Sequence, residues 1–313
     1  MLLLTGIISY NYTNTSYAKW SSSVESKNIL KLSVKKKDYA LDFAQDNVGQ
    51  GGLEEIIHEI DDTLQVDSKF ATEYRYRGGN VNNYVTFNNE VWRIIGIIPT
   101  EDTDGNVENR FKIIKDESVG SMKWNEDSLN NWTIATLNTY LNNDYYNTLS
   151  ADAKNMIGTT KYYLGGYKSY PNITADTMWQ YERKNEANRT GYYYGTNPIM
   201  QNDASKKIAL MYASDYGYAA SKNCTSNLYD YDASTNCKSA NNWLDKSQNT
   251  WTLSHCSGGN GTILYISVSS GMGNGGDSGA KKYLTLPVLT LSSNVKISSG
   301  SGTSSDPYQL STN

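Results

Sequence analysis

The stretch Tyr84-Val85-Thr86-Phe87-Asn88-Asn89-Glu90-Val91-Trp92-Arg93-Ile94-Ile95-Gly96-Ile97-Ile98 decides the fold class. Two runs rich in β-branched and aromatic residues flank an Asn-Asn pair, and asparagine tolerates the positive φ that tight hairpin turns need. The pattern predicts an antiparallel hairpin. A polar loop with Asp104-Gly105 follows, and Phe111-Lys112-Ile113-Ile114-Lys115 supplies a third strand, so a three-strand meander opens a core that begins near Thr72.

Downstream the period changes. Ile134, Leu137, Tyr140 and Leu141 recur at helical spacing and predict a helix docked on the sheet. Ser150 as an N-cap and Gly158 as a stop bracket a second short helix. Residues 159–164 read as a strand, and 177–186 as a third helix or a long insertion. Strands return at 207–212, 251–253, 262–268 and 283–291. Ser269 to Asp277 reads as an exposed, glycine-rich loop, and Val295-Lys296-Ile297 followed by Ser298 to Gln309 as a polar tail with one late strand at most. The expected fold is α+β, a mixed and mainly antiparallel sheet with a few short helices, over 72–313.

Upstream, residues 19–71 read as a polar arm. Its one short helix lies within Leu53 to Val66, with Ile56, Ile57 and Ile60 on a face and His58 among Glu54, Glu55 and Glu59 on the solvated side. Residues 1–18 read as the remnant of a signal or anchor segment. Leu2 to Ile8 is apolar and Ser16-Tyr17-Ala18 has the small-x-small form of a signal-peptidase site. Nothing basic precedes Leu2, and the run is shorter than the roughly 20 apolar residues a bilayer needs. Either the true start lies upstream or the segment ends a longer export sequence. Both readings place the protein outside the cell or on its surface, with membrane contact only through an N-terminal anchor.

Composition narrows the function. The 313 residues include 26 Tyr and 7 Trp against 4 Phe, with a net charge of −4 and no basic stripe interleaved with aromatics. Nucleic acid is therefore not an expected partner. Only 2 His and 3 Cys are available for acid/base, nucleophilic or zinc chemistry, so no catalytic residue, metal site or cofactor is expected.

Several segments together carry a resemblance. They are Tyr74-Arg75-Tyr76-Arg77-Gly78, the hairpin run from Asn82 to Gly96, Phe111 to Glu117, Thr136 to Asn142, Ala209 to Tyr218 and the closing Gly302-Thr303-Ser304-Ser305-Asp306-Pro307-Tyr308-Gln309-Leu310. Over about residues 72–310 the chain resembles uncharacterised surface proteins of low-GC gut Firmicutes, some with a pilin-like N-terminal helix. More distantly it is similar to the C-type-lectin-like fold of formylglycine-generating enzymes and of the variable proteins of diversity-generating retroelements. Trp92 on an early strand and Leu137-Asn138 on an asparagine-rich helix fit that pattern. Those relatives often carry Arg-Pro in the late strand, where this chain has Leu286-Pro287.

The tyrosine clusters are the main candidates for binding, because a phenol ring offers a flat apolar face and a polar tip. The residues singled out are Tyr192, Tyr193, Tyr194, Tyr229, Tyr231, Trp243 and Trp251, with loops around 160–205 and 219–282 as the expected surface. Cys224 and Cys237 enclose a short polar loop that a disulfide would pin in an exported protein. Cys256 is then left beside His255, a sequence neighbour that does not by itself make a catalytic dyad. Glu101 to Asn106 has oxygen ligands at calcium-loop spacing but lies between strands, which favours a plain hairpin loop. Trp124-Asn125-Glu126-Asp127 only loosely matches the Trp-Asn-Asp of sugar-binding lectins. The expected function is non-enzymatic adhesion or ligand display, with a glycan or surface protein as partner. The alternatives are a pilin-like subunit that self-associates and, third, an enzyme of formylglycine-generating type working through Cys256.

Overall fold

In the computed structural model the residues described are 18–21, 31–34, 37–60, 66–167, 173–183, 199–201, 207–246, 248–256, 261–277 and 279–312. Along the chain, β1 (Ala18–Ser21) and β2 (Lys31–Val34) pair antiparallel as a separate hairpin. Helix α1 (Tyr39–Asn47) starts at Asp38, whose carboxylate accepts from the Leu41 N–H at 3.0 Å and so meets one of the donors that a helix start leaves open. Strand β3 (Leu53–Ile57) pairs antiparallel with β4 (Thr72–Tyr76). Two expectations are thereby corrected. Residues 38–60 and 66–71 of the supposed arm are part of the packed body, with Ala40, Ala44, Leu53, Val66 and Phe70 buried, and Leu53 to Ile57 is a strand, with Ile57 70% exposed. Alternating Ile and Glu suits a half-buried strand as well as a helix face, and pairing with β4 decides between them.

The predicted hairpin is present as β5 (Tyr84–Phe87) and β6 (Glu90–Glu101), closed by Asn88 and Asn89 at φ 55° and 57°. Strand β7 (Val107–Lys115) follows across the Asp102–Asn106 turn, where Gly105 has φ +83°. Trp92 to Ile98 is buried throughout, as befits a strand covered on both faces. Gly96 has a steric reason: a Cβ there would stand 2.2 Å from the Tyr74 carbonyl of β4.

After the short β8 (Ser121–Met122), the predicted helix runs as α2 (Thr136–Thr139), a π-helical stretch at Tyr140–Tyr145, and α3 (Tyr146–Thr148). Ile134 lies before it in a 3-10 turn and is 55% exposed, so it does not join Leu137 and Leu141 in the core. Helix α4 (Ala151–Met156) has the predicted cap, with the Ser150 hydroxyl accepting from the Ala153 N–H at 3.2 Å. Then come β9 (Thr160–Tyr162), β10 (Gly166–Tyr167), α5 (Ala175–Arg183), β11 (Ile199–Gln201) and α6 (Ala213–Ala219). Residues 207–212 are not a strand; Ile208 to Tyr212 are buried with little ladder pairing, tied by a bridge from Ala209 to Val288 and by the Met211 carbonyl, which accepts from the Leu253 N–H at 2.8 Å. Asn142 compensates there, accepting from the Ile208 N–H at 2.7 Å and donating to its carbonyl at 2.8 Å.

The last third is β12 (Thr250–Cys256), β13 (Thr262–Ser267), β14 (Gly271–Asp277), β15 (Tyr283–Leu284), β16 (Val288–Thr290), β17 (Val295–Ser299) and β18 (Tyr308–Thr312). The segment expected as an exposed loop is β14, paired antiparallel with β13 and burying Met272. Composition misleads here because backbone pairing needs no side chains.

Two sheets carry the body. The larger runs β16-β7-β6-β5-β18-β17, with β4 on β6 and β3 outside β4; the other runs β14-β13-β12-β15-β8, with β10 on β12. Most pairings are antiparallel; β18 on β5, β15 on β12 and β10 on β12 are parallel. The fold is thus α+β, mixed and mainly antiparallel. Helix α1 covers the larger sheet, with Phe43 edge-on to Phe111 and Tyr308 at 5.5 and 5.4 Å. Helix α6 packs against β4 of one sheet and against β12 and β13 of the other.

Candidate functional site

A cleft of about 420 Å³ opens between α6, the loop after it and the β13–β14 turn. Its lining includes Tyr216, Asp232, Lys238, Asp245, Lys246 and Val268. The size falls in the roughly 300–1,000 Å³ range of small-molecule sites.

The walls are built locally. Cys224 and Cys237 form the expected disulfide, which closes the loop carrying a 3-10 turn at Leu228–Ala233 and Asp232. Tyr231 anchors that turn from beneath, its hydroxyl donating to the Gly217 carbonyl at 3.0 Å and its ring 5.5 Å from that of Tyr216. Buried Asn242 ties three pieces together: its amide donates to the carbonyls of Tyr216 (3.2 Å) and Cys237 (3.3 Å), and its oxygen accepts from the Leu244 N–H (3.1 Å). On the far side Gly271 has φ +80°, and a Cβ there would meet the Tyr231 Cβ at 2.5 Å. Only glycine lets β14 come this close.

The charges in the cleft balance. Lys238 Nζ stands 3.2 Å from Asp232, and Lys246 Nζ lies 3.3 Å from the Asp116 carboxylate and 3.1 Å from its carbonyl. Tyr216 is fully buried, and among the described residues its hydroxyl has no hydrogen-bond partner. Burial raises its pKa, and the negative charges of Asp245 and Asp232, with Tyr231, push it further up. The hydroxyl therefore feels both cleft carboxylates.

A second polar assembly lies deeper. Arg75 bridges Glu73 (2.6 Å) and Asp215 (2.9 Å); Lys112 meets Asp215 at 2.6 Å and Arg183 meets Glu73 at 3.2 Å. Trp179 Nε1 donates to Glu73 at 2.8 Å, and His58 stacks on the Trp179 ring at 3.6 Å while bonding Asp176 at 2.7 Å. His58, expected on a solvated helix, is thus buried. Burial pushes the Glu73 and Asp215 carboxyls up, but the neighbouring cations outweigh it and hold both below their ordinary range. Glu182 also accepts from the Ser214 N–H (3.1 Å) and from the hydroxyls of Ser214 and Ser254, yet burial leaves its pKa raised. All of these except Asp176 are closed to solvent, so the assembly joins β4, β7, α5 and α6 and offers no substrate a way in.

The residues singled out from sequence fall elsewhere. Tyr192, Tyr193 and Tyr194 lie outside the described residues. Tyr229, Tyr231, Trp243 and Trp251 are buried, and the two tryptophans donate inward, to the carbonyls of Tyr76 (2.8 Å) and Met122 (2.7 Å). These four rings do not face outward as expected; a large aromatic gains more from burial than from display. His255 is buried against Trp124, its Nε2 bonded to the Asn130 carbonyl, and burial lowers its pKa, while Cys256 beside it is half-buried. Asn125 is spent internally on Leu129 and Thr136. Asp102 folds onto the N–H groups of Asp104 (2.8 Å) and Asn106 (2.9 Å), which is the hairpin-loop reading. Among the described residues no three His, Cys, Asp or Glu gather as a metal site, and no helix is long and apolar enough to cross a membrane.

Asp232, Lys238, Asp245 and Lys246 were not legible as a group in the sequence. The only signal was their position in and after the Cys224–Cys237 loop, within the 219–282 region. No protein-family model matches the chain, and no curated protein or solved structure matches it.

Proposed function

We propose that the protein is a non-enzymatic, extracellular adhesion or ligand-display protein, with a lectin-like presentation of loops on a mixed sheet, and that its ligand, a glycan or a surface protein, seats in the cleft between α6 and the β13–β14 turn. One observation carries the reading: a polar cleft whose wall is pinned by a disulfide and whose lining brings Asp232, Lys238, Asp245 and Lys246 together. Polar groups converging on a preformed concavity favour ligand binding, and loops held on a rigid scaffold are where such sites recur. The internal use of His255 and the enclosure of the Glu73–Arg75–Asp215 assembly support a role without catalysis.

Binding of the labelled full chain to a glycan array, to immobilised extracellular glycoproteins and to intact cells tests this. Val268 stands on the rim, 56% exposed, so Val268→Trp fills the mouth without touching the core. Binding by the wild type that drops at least tenfold in the variant is expected. Absence of binding to every surface, or equal binding by Val268→Trp, would overturn the proposal.

A further inference from the structure

We propose that Tyr265 and Tyr283 form an oxidative cross-linking site, at which hydrogen peroxide and a haem peroxidase join the two phenol rings carbon to carbon and so staple β13 to β15. The inference stands apart from the cleft and does not depend on it. Strands β13 and β15 are not hydrogen-bonded to each other, because β12 runs between them. Neighbouring strands lie about 4.8 Å apart, so these two backbones are separated by roughly twice that distance. The side chains close the gap. The Tyr265 and Tyr283 rings meet with centroids 4.7 Å apart and planes inclined by 40°. Both pack against fully buried Trp251, whose ring lies 4.4 Å from that of Tyr283 and 6.4 Å from that of Tyr265. Strand β14 also fixes Tyr265: a Cβ on Gly273 would stand 2.3 Å from its Cζ, so the ring rests on bare backbone. Both tyrosines are half-buried, which leaves them open to solvent where Trp251 is not.

Two phenols held in contact meet the requirement of the reaction. The peroxidase takes one electron from each ring and each hydroxyl gives up its proton, leaving two phenoxyl radicals. Their unpaired density extends to the ring carbons beside the oxygen, and a bond forms between one such carbon of each ring. The hydrogen on each of those carbons then moves to the phenoxyl oxygen, which restores both aromatic rings and both hydroxyls. In sum each tyrosine loses one hydrogen, and hydrogen peroxide takes up the two as it becomes two waters. Partial burial, and next the Tyr265 phenol beside it, raise the Tyr283 pKa, so that hydroxyl keeps its proton at neutral pH until oxidation removes it. Holding the partners together makes the coupling intramolecular, and it outruns coupling between separate chains. The Tyr216 and Tyr231 rings are also close, at 5.5 Å and 38°, but both are buried and the Tyr231 hydroxyl is committed to the Gly217 carbonyl. The oxidant is kept from that pair.

The test treats the full chain at low concentration with a haem peroxidase and hydrogen peroxide, digests it with trypsin and maps the peptides by mass spectrometry. Cleavage after lysine and arginine leaves Tyr265 as the one tyrosine of 247–281 and Tyr283 as the one tyrosine of 283–296. A joined pair of these peptides, lighter than their sum by two hydrogens, is expected from the monomer fraction. Tyr265→Phe and Tyr283→Phe keep a ring in place and lack the phenol, so each should lose the joined pair. A cross-link that closes a loop stabilises mainly by restricting the unfolded chain, so the oxidised wild-type monomer should melt several degrees higher than before treatment, with no such shift in either variant. Peptides 247–281 and 283–296 that stay unjoined in the wild type, or a joined pair that persists in Tyr265→Phe through Trp251, would overturn the inference. No ligand enters these readouts, so their failure leaves the adhesion reading standing, and the reverse holds as well.

Discussion

Asp215 shows how a single side chain can organise the interior. Its two oxygens take Arg75 and Lys112 from adjacent parts of the larger sheet, and its Oδ2 also accepts from the Tyr212 N–H at 2.8 Å, capping the start of α6. Removing one member of a buried ionic assembly strands the others, at a cost of about 3–5 kcal/mol. Asp215→Asn is therefore expected to lower the unfolding free energy by that amount in urea titration, while an exposed pair such as Lys123–Glu126 should contribute little. None of this was visible in sequence, since Glu73, Asp215 and Arg183 lie far apart in the chain. Charged side chains are ordinarily solvated, and for the same reason three glutamates beside His58 imply water, whereas β3 pairs with β4 and leaves the imidazole under Trp179.

At the scale of elements, legibility followed how local the cause was. The β5–β6 hairpin could be read because its turn chemistry is carried by two adjacent asparagines, and α4 because Ser150 caps it. Asn89→Val tests the turn: a β-branched residue at φ 57° is expected to cost about 1–2 kcal/mol, seen as a lower urea midpoint at unchanged m value. Where the cause is non-local the reading failed. Residues 207–212 have strand composition but are held by Asn142, a bridge to Val288 and a backbone hydrogen bond to Leu253, and β14 has loop composition but is held by β13. The cleft belongs to this second group, assembled from α6, a disulfide loop and a hairpin turn that only the fold brings together.

At the scale of the whole molecule, the two sheets and α6 place a balanced charge assembly in the interior and a polar cleft at the surface. The interior has a pH signature. Glu73 and Asp215 have folded pKa values below their ordinary 4.5 and 3.8, so their contribution is complete above pH ~4.5 and is lost as pH falls through the folded values. Glu182 works in the opposite sense: its pKa is raised, so its contribution is present in acid and is lost as pH rises past 4.5. Urea titrations from pH 3 to 7 are expected to show a steep fall below about pH 4, and the fall should be shallower in Asp215→Asn.

Lysine footprinting bears most directly on the cleft as the ligand site. The full chain is acylated with a small amine-reactive activated ester, first alone and then with the strongest-binding array glycan or glycoprotein at saturation, and each lysine is followed by mass spectrometry. Lys238 and Lys246 should become at least several-fold less reactive, with Lys154 and Lys123 unchanged. Unaltered reactivity of Lys238 and Lys246 under a saturating ligand, with protection elsewhere or nowhere, would contradict the assignment of the cleft.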